Sequence, residues 1–494
     1  MADARPDLII RNATLIDGTG AKPRRGDLAV SGERIQAIGD LAQIKAAREI
    51  DAGGKALAPG FIDVHTHDDR ALMADPAMSP KASQGVTTVI TGNCGISLAP
   101  FYVRSAKLPP PIDLIAASPE HTFKRMSEYL DRLDREPAAI NSAALVGHAT
   151  LRVGAMDRLD RPATESETAA MCEQLDRALD DGAIGLSTGL FYRPAIAAPT
   201  EEVIALAKRL APKGAIHTTH MRDEGDQVTR SIEETIAIGR SAKVPVVISH
   251  HKVTGKNNHG RTAETLPMIE RARQRQPLAL DVYPYIASST VLDPRRLMGA
   301  AKVLITWSLA KRDATGRYLA DIAAEMGLDM EQAAEKLLPA GAIYFTMDEA
   351  DVQRVLKYDH AMIGSDGLPH DFHPHPRLWG TFPRVLGHYA RDIGLFPLEE
   401  AVRRMTGFPA AQFGLKDRGV LRAGAFADLV LFDPATVLDR ATFEKPKTPA
   451  AGIELVFANG RAIWRDGAPT GERPGRALRL KDLGPMGRDS APAR

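Results

Sequence analysis

Two histidines one residue apart, His65 and His67, close an apolar run that begins at Ala56. On a β-strand, residues i and i+2 share a face, so the two imidazoles project side by side from one strand end. Neutral imidazoles presented together suit a divalent transition metal such as zinc. A His-x-His pair standing alone is ordinarily a surface feature. Here further metal-competent groups follow in Asn93-Cys94-Gly95, Thr218-Thr219-His220, Ser249-His250-His251-Lys252 and Ser365-Asp366-Gly367.

These groups act together only if the fold carries them to one place. The central region alternates strand-like apolar runs with helical periods, the pattern of parallel βαβ units. Strands are expected at 57–64, 86–92, 142–147, 184–188, 215–219, 244–249, 278–283 and 361–364, with helices such as 166–181, 200–210 and 228–241 between them. Eight such units describe an α/β protein with a (β/α)8 TIM-like barrel. A doubly wound sheet is the alternative, but eight parallel strands would be many for one. Barrel chemistry sits at the C-terminal strand ends, and five of the eight expected ends carry metal-competent residues.

The two ends of the chain read differently. Short strands broken by Asp17-Gly18 and Ser31-Gly32 fill residues 7–55, a small antiparallel unit. Two more, at 427–434 and 453–460, close on Asp433-Pro434 and Asn459-Gly460 turns. Both termini are therefore expected to build one small β-sandwich domain from 1–57 and 417–480. The barrel, 58–416, is inserted between its halves, and 481–494 follows as a tail. Residues 287–342, with helical periods at 318–326 and 330–337, are expected as an insertion over the barrel mouth, either a lid or extra packing.

Composition narrows the partners. The 494 residues are 44% hydrophobic and 25% charged with a formal net charge of +1, which gives no reason to expect nucleic acid or an anionic membrane. No apolar run approaches the roughly 20 residues that span a bilayer, and residues 1–7 lack the apolar core of a secretory signal. Cys94 and Cys172 are the only cysteines. A disulfide framework is excluded, and a reducing cytoplasm is the expected setting. Oligomeric state is not written in these features.

Pro59-Gly60-Phe61-Ile62-Asp63-Val64-His65-Thr66-His67, the later strand-end histidines and Ser365-Asp366-Gly367 resemble the amidohydrolase superfamily. More narrowly, Thr91-Gly92-Asn93-Cys94-Gly95, Thr219-His220-Met221-Arg222-Asp223-Glu224, Ser249-His250-His251-Lys252 and Gly364-Ser365-Asp366-Gly367-Leu368-Pro369-His370 look like the N-acyl-D-amino-acid deacylases (D-aminoacylases). The resemblance covers nearly the whole chain. It implies a zinc hydrolase that cleaves a small N-acyl-D-amino acid to a carboxylate and a free D-amino acid. Hydantoinases and dihydroorotases usually carry a carboxylated lysine as bridging ligand, the role that falls to Cys94 here. Cyclic-amide opening of their kind and a non-catalytic scaffold are the competing readings; the complete ligand set speaks against a scaffold.

Under this resemblance Cys94, His220 and His250 hold one tight zinc. A zinc-bound thiol is deprotonated outright, and three protein ligands leave a fourth position for water. His65 and His67 would form a second, weak or variably filled site with only neutral ligands, sharing the thiolate at best. Asp366 is the expected general base, taking a proton from zinc-activated water and passing it to the leaving amine. Lys252, Tyr283 and Arg377 are expected to hold the substrate α-carboxylate, with Lys252 on the same face as His250 if the strand continues. Ser289 is a family-based addition to the pocket. Tyr192, with Phe191 after the fourth strand, lines the acyl or side-chain pocket or simply packs. His217 and His251 fall on the opposite strand face, and Pro369, Pro374 and Pro376 make His370, His373 and His375 part of a shaped loop. Arg295 and Arg296 lie in the insertion, so no extra cation stands out and a hydrophobic substrate side chain is expected; D-glutamate and D-aspartate are the alternative.

Overall fold

The computed structural model describes residues 5–102, 108–116, 118–297 and 299–489. Eight parallel strands lie side by side in chain order: Phe61–Asp63, Val86–Thr91, Asn141–Gly147, Gly185–Gly189, Ile216–His220, Val246–Ile248, Leu278–Val282 and Ala361–Ile363. All eight are buried along their length, as parallel strands covered by crossover helices require. The first and eighth strands, at the two ends of the sheet, meet without a ladder. Among the described residues a bridge between Thr66 and Gly367, and the Asp366 N–H donating to the His65 carbonyl at 2.8 Å, draw the ring shut.

The run expected as the first strand, 57–64, splits in two. Ala56–Pro59 pairs antiparallel with Leu429–Phe432 in the terminal sheet, whereas Phe61–Asp63 enters the barrel. Gly60 is the joint between them, and a Cβ there would lie 2.3 Å from Thr87 Oγ1. A side chain at this point would drive the barrel entry apart.

Strands from both termini share one nine-stranded sheet. The N-terminal part is mixed rather than purely antiparallel, because Leu8–Leu15 pairs in parallel with Arg48–Asp51 and Ala56–Pro59. Asn459 (φ 46°) and Gly460 (φ 76°) make the left-handed turn of the hairpin Ile453–Ala458 and Arg461–Arg465, as an Asn-Gly pair favours. The segment expected as a tail is seated on the barrel as far as residue 489. Gly484 and Gly487 donate to the Gly414 and Gln412 carbonyls at 2.7 and 2.9 Å. Met486 joins Phe408 and Phe413 in the apolar cluster that meets the barrel interior at Ile62, Ile90 and Val247. Residues 1–4 and 490–494 lie outside the described residues.

The insertion holds more strand than its helical periods suggest. Ala287–Val291, Val303–Ser308 and Ala340–Phe345 form a three-stranded antiparallel sheet, whose last strand runs past 342 to Phe345. Leu319–Met326 and Met330–Leu337 pack on it through Ile305, Ile322 and Leu337. Strands as polar as Ala287–Val291 carry no alternation that stands out from loop.

Candidate metal centre

Most of the candidate donors sit just past strand ends, where the backbone leaves the ladder; His220 is the last paired residue of its own strand. Cys94, His250 and Asp366 all adopt left-handed backbone angles, with φ of 53°, 38° and 50°. Such conformations are costly for residues with a side chain and persist where the surroundings fix them, often at working sites.

Cys94 Sγ lies 3.6 Å from His220 Nδ1, 3.4 Å from His250 Nε2 and 3.2 Å from His65 Nε2. Zinc bonds of about 2.3 Å to sulfur and about 2.0–2.1 Å to nitrogen, at a tetrahedral angle, separate the two donors by about 3.6 Å. Cys94, His220 and His250 therefore have the spacing of a three-ligand zinc site as they stand. A second set joins His65, His67, Cys94 and Asp366, with His67 Nε2 3.1 Å from Asp366 Oδ1. This corrects the expectation of neutral ligands beside a shared thiolate. The left-handed turn at Asp366 folds its carboxylate over the end of the first strand, and so among the donors.

Electrostatics matches the geometry. Burial alone would push the Cys94 thiol up, yet His65 and His250 hold it well below the ordinary range. Burial likewise opposes ionisation of Asp366, but Arg377 foremost, then His67, keep its carboxyl well below the usual carboxylate range. His67, against the opposing effect of burial, is pushed up to about 9 by Asp366 and Cys94. Two buried anions drawing positive charge onto neighbouring imidazoles is the environment a divalent cation satisfies.

A cleft of about 710 Å³ opens onto His220, His250 and Asp366, with Lys252, Tyr283, Ser289 and Tyr192 on its wall. Tyr192 Oη lies 3.3 Å from Thr290 Oγ1 on the insertion. Arg377 stands behind that wall, fully buried, with Nη1 2.9 Å from Asp366 Oδ2 and its guanidinium 4.5 Å from the centre of the Tyr283 ring. The strand does not continue to Lys252, so the condition for a face shared with His250 is not met. It ends at Ile248, and the lysine folds back so that Nζ lies 2.7 Å from both Glu224 Oε1 and His250 Nδ1. Arg295 and Arg296 also line the cleft, which removes the ground for discounting them. Arg295 pairs with Asp293 at 2.7 Å, whereas Arg296 lies 3.6 Å over the Phe191 ring.

A family described as the amidohydrolases matches residues 48–464. D-aminoacylase of Alcaligenes xylosoxydans xylosoxydans is 55% identical over 97% of this chain and 98% of its own length. N-acyl-D-aspartate deacylase of the same organism is 52% identical over 99% and 98%. The crystal structure of N-acyl-D-glutamate deacylase from Bordetella bronchiseptica, complexed with zinc and a phosphonate mimic of the tetrahedral intermediate, has a TM-score of 0.93 at 47% identity, covering 96% of this chain and all of that one. The chain belongs to the amidohydrolase family, in its D-aminoacylase branch.

Three carboxylates of this amidohydrolase that sequence reasoning passed over brace the donors. Asp281 places Oδ2 3.3 Å from His65 Nδ1 and accepts the His250 N–H on Oδ1 at 2.8 Å. Glu224 lies 3.0 Å from His250 Nδ1 and 3.8 Å from His220 Nε2. Asp63 accepts the Ser365 N–H at 2.8 Å. The signal for Asp281 is a lone charge inside Leu278–Val282, since a buried charge needs partners. The histidines set aside point elsewhere. His251 Nε2 meets Thr265 Oγ1 at 2.9 Å, and among the described residues His217 is buried without a side-chain partner. His373 meets the Phe443 carbonyl, while His375 meets the Ala287 carbonyl and accepts the Arg377 N–H. His370 Nε2 is buried and unpartnered.

Proposed function

We propose that this amidohydrolase hydrolyses N-acyl-D-amino acids to a carboxylate and a free D-amino acid, with zinc held by Cys94, His220 and His250. The observation that carries this reading is the sulfur-to-nitrogen spacing of those three residues, two of which, His220 and His250, line the cleft. Bound there, zinc supplies a water whose pKa falls from about 15.7 toward 7 and polarises the scissile carbonyl. Asp366, kept ionised by Arg377, takes the water's proton and passes it to the leaving amine. His65, His67 and Asp366 make a second set that is the weaker of the two, because Asp366 is already paired with Arg377.

The α-carboxylate of the substrate meets Lys252, Tyr283 and Ser289 on the wall. Among the described residues the Tyr283 and Ser289 hydroxyls, and Arg377 Nε behind them, are buried without a hydrogen-bond partner. Such orphan donors are rare, and a bound carboxylate would satisfy them. The D configuration is carried over from the substrates of the relatives. Tyr192, opposite the insertion, faces the acyl or side-chain end. Residues 58–416 are the catalytic unit, with the insertion as its cover.

Two readings of the substrate side chain follow. The aromatic wall of Phe191 and Tyr192 suits an apolar side chain such as methionine, leucine or phenylalanine. Arg296, which among the described residues pairs with no carboxylate, favours an acidic one. A panel of N-acetyl-D- and L-amino acids, apolar and acidic, assayed with and without added zinc, separates them. Turnover of the D-series is expected; turnover confined to the L-series, or to hydantoins, would sink the proposal. The partner on this reading is a small molecule. A cytoplasmic setting agrees with two unbridged cysteines and with the absence, among the described residues, of a helix long and apolar enough to cross a membrane.

A further inference from the structure

The barrel's seam runs between its first and eighth strands, and the second donor set is assembled across that seam. His65 and His67 follow the first strand and Asp366 follows the eighth. With no ladder between the strands, another device must fix their spacing. Lys81, on the short helix Ser79–Ala82, spans the gap with its Nζ. It lies 2.7 Å from Asp63 Oδ2, 3.3 Å from Asp68 Oδ2 and 2.8 Å from Ser365 Oγ. Asp63 precedes the histidine pair and accepts the Ser365 N–H at 2.8 Å on its other oxygen. Ser365 Oγ also accepts the Gly367 N–H at 3.2 Å. Both neighbours of Asp366 are thereby tied to one ammonium group, while its own N–H is held by His65. Lys81, Asp63 and Ser365 have no exposed surface.

We propose that Lys81 and Ser365 are positioning residues that clamp the seam, hold Asp366 in its left-handed conformation and so set its reach to His67 and to the reacting water. This rests on the proposed role of Asp366. A buried ion pair without its partner is costly, so Lys81→Met can fail to fold. Ser365→Ala is the cleaner probe, since it removes the acceptor and leaves Lys81 paired with Asp63 and Asp68.

The test combines steady-state kinetics, zinc content and a crystal structure of Ser365→Ala. Small displacements of a catalytic group cost about 10- to 100-fold in rate. The clamp predicts a fall of that size in kcat, a KM within about threefold, full occupancy of the tight zinc and a lengthened His67–Asp366 contact. Lys81→Met, if folded, shows the same pattern, and the double variant is little worse than either single one. Unchanged kcat, or loss of the tight zinc together with activity, overturns the clamp. If the wild type hydrolyses no N-acyl amino acid, the proposed function fails. The clamp is then judged on the crystal structure alone, and an unmoved Asp366 in Ser365→Ala overturns it.

Discussion

The two donor sets share Cys94 but differ in whether a carboxylate stands among the donors. Around His220 and His250 the carboxylate stands outside the set, where Glu224 lies 3.0 Å from the far nitrogen of His250. Around His65 and His67 one carboxylate also stands outside, with Asp281 3.3 Å from the far nitrogen of His65, but a second stands inside, where Asp366 lies 3.1 Å from His67 Nε2 and is backed by Arg377 at 2.9 Å. A carboxylate behind an imidazole fixes its orientation and strengthens it as a donor. A carboxylate among the donors is free to exchange a proton with whatever enters. The first arrangement suits holding a metal and the second suits reacting. The carboxylate among the donors, present in one set and absent from the other, separates the two.

Removing the shared residue breaks the comparison most completely. Cys94→Ala takes the only sulfur from both sets, and activity is expected to fall by about 10⁴-fold or more with zinc absent by elemental analysis. Asp366→Asn is expected to split the sets. It lowers kcat by about 10²- to 10⁴-fold while the purified protein keeps its tight zinc. If that zinc left as well, the carboxylate would be a holding ligand and the contrast would vanish.

Finer substitutions grade the holding side. His220→Asn is expected to weaken zinc binding by more than about 100-fold, and Glu224→Gln by about 10- to 100-fold, read by competition with a chelator. His65→Asn should retain more zinc than His220→Asn. The reverse order would return the His-x-His pair to the centre of the site.

How much of this was legible in the sequence divides along the same line. The barrel strands could be read because continuous apolar runs alternate with helical periods. The donors could be read because histidine, cysteine and aspartate stand at consecutive strand ends. Contacts that depend on rotation past a strand end could not be read. Asp366 enters the second set through a backbone turn with φ of 50°, which Ser365-Asp366-Gly367 does not announce. Lys252 reaches Glu224 by folding back from a strand that has already ended, where counting by twos gives no guidance. Arg296 reaches the cleft only because the insertion closes as a sheet against the mouth. Residues of this kind are placed by tertiary packing, and periodicity has nothing to say about them.

The smallest expected effect concerns the brace behind Asp366. Arg377 is the chief influence holding that carboxyl well below the usual range, against burial, which acts in the opposite direction. As the proposed base Asp366 works only when ionised, so wild-type activity is expected to be lost on the acid side only below the ordinary carboxylate range. Arg377→Gln removes the lowering influence and leaves the burial, so the folded-state pKa rises and the acid limb of kcat moves to higher pH. Near pH 8 Asp366 stays ionised in either protein, and kcat there should change by about threefold or less. The pH profile of kcat for the two proteins, measured on one N-acetyl-D-amino acid, carries the information. An acid limb that stays put would mean that Arg377 serves the substrate alone. A limb that moves while KM also rises would give Arg377 both tasks, bracing the reacting side of the metal centre and adding its charge to the pocket beyond it.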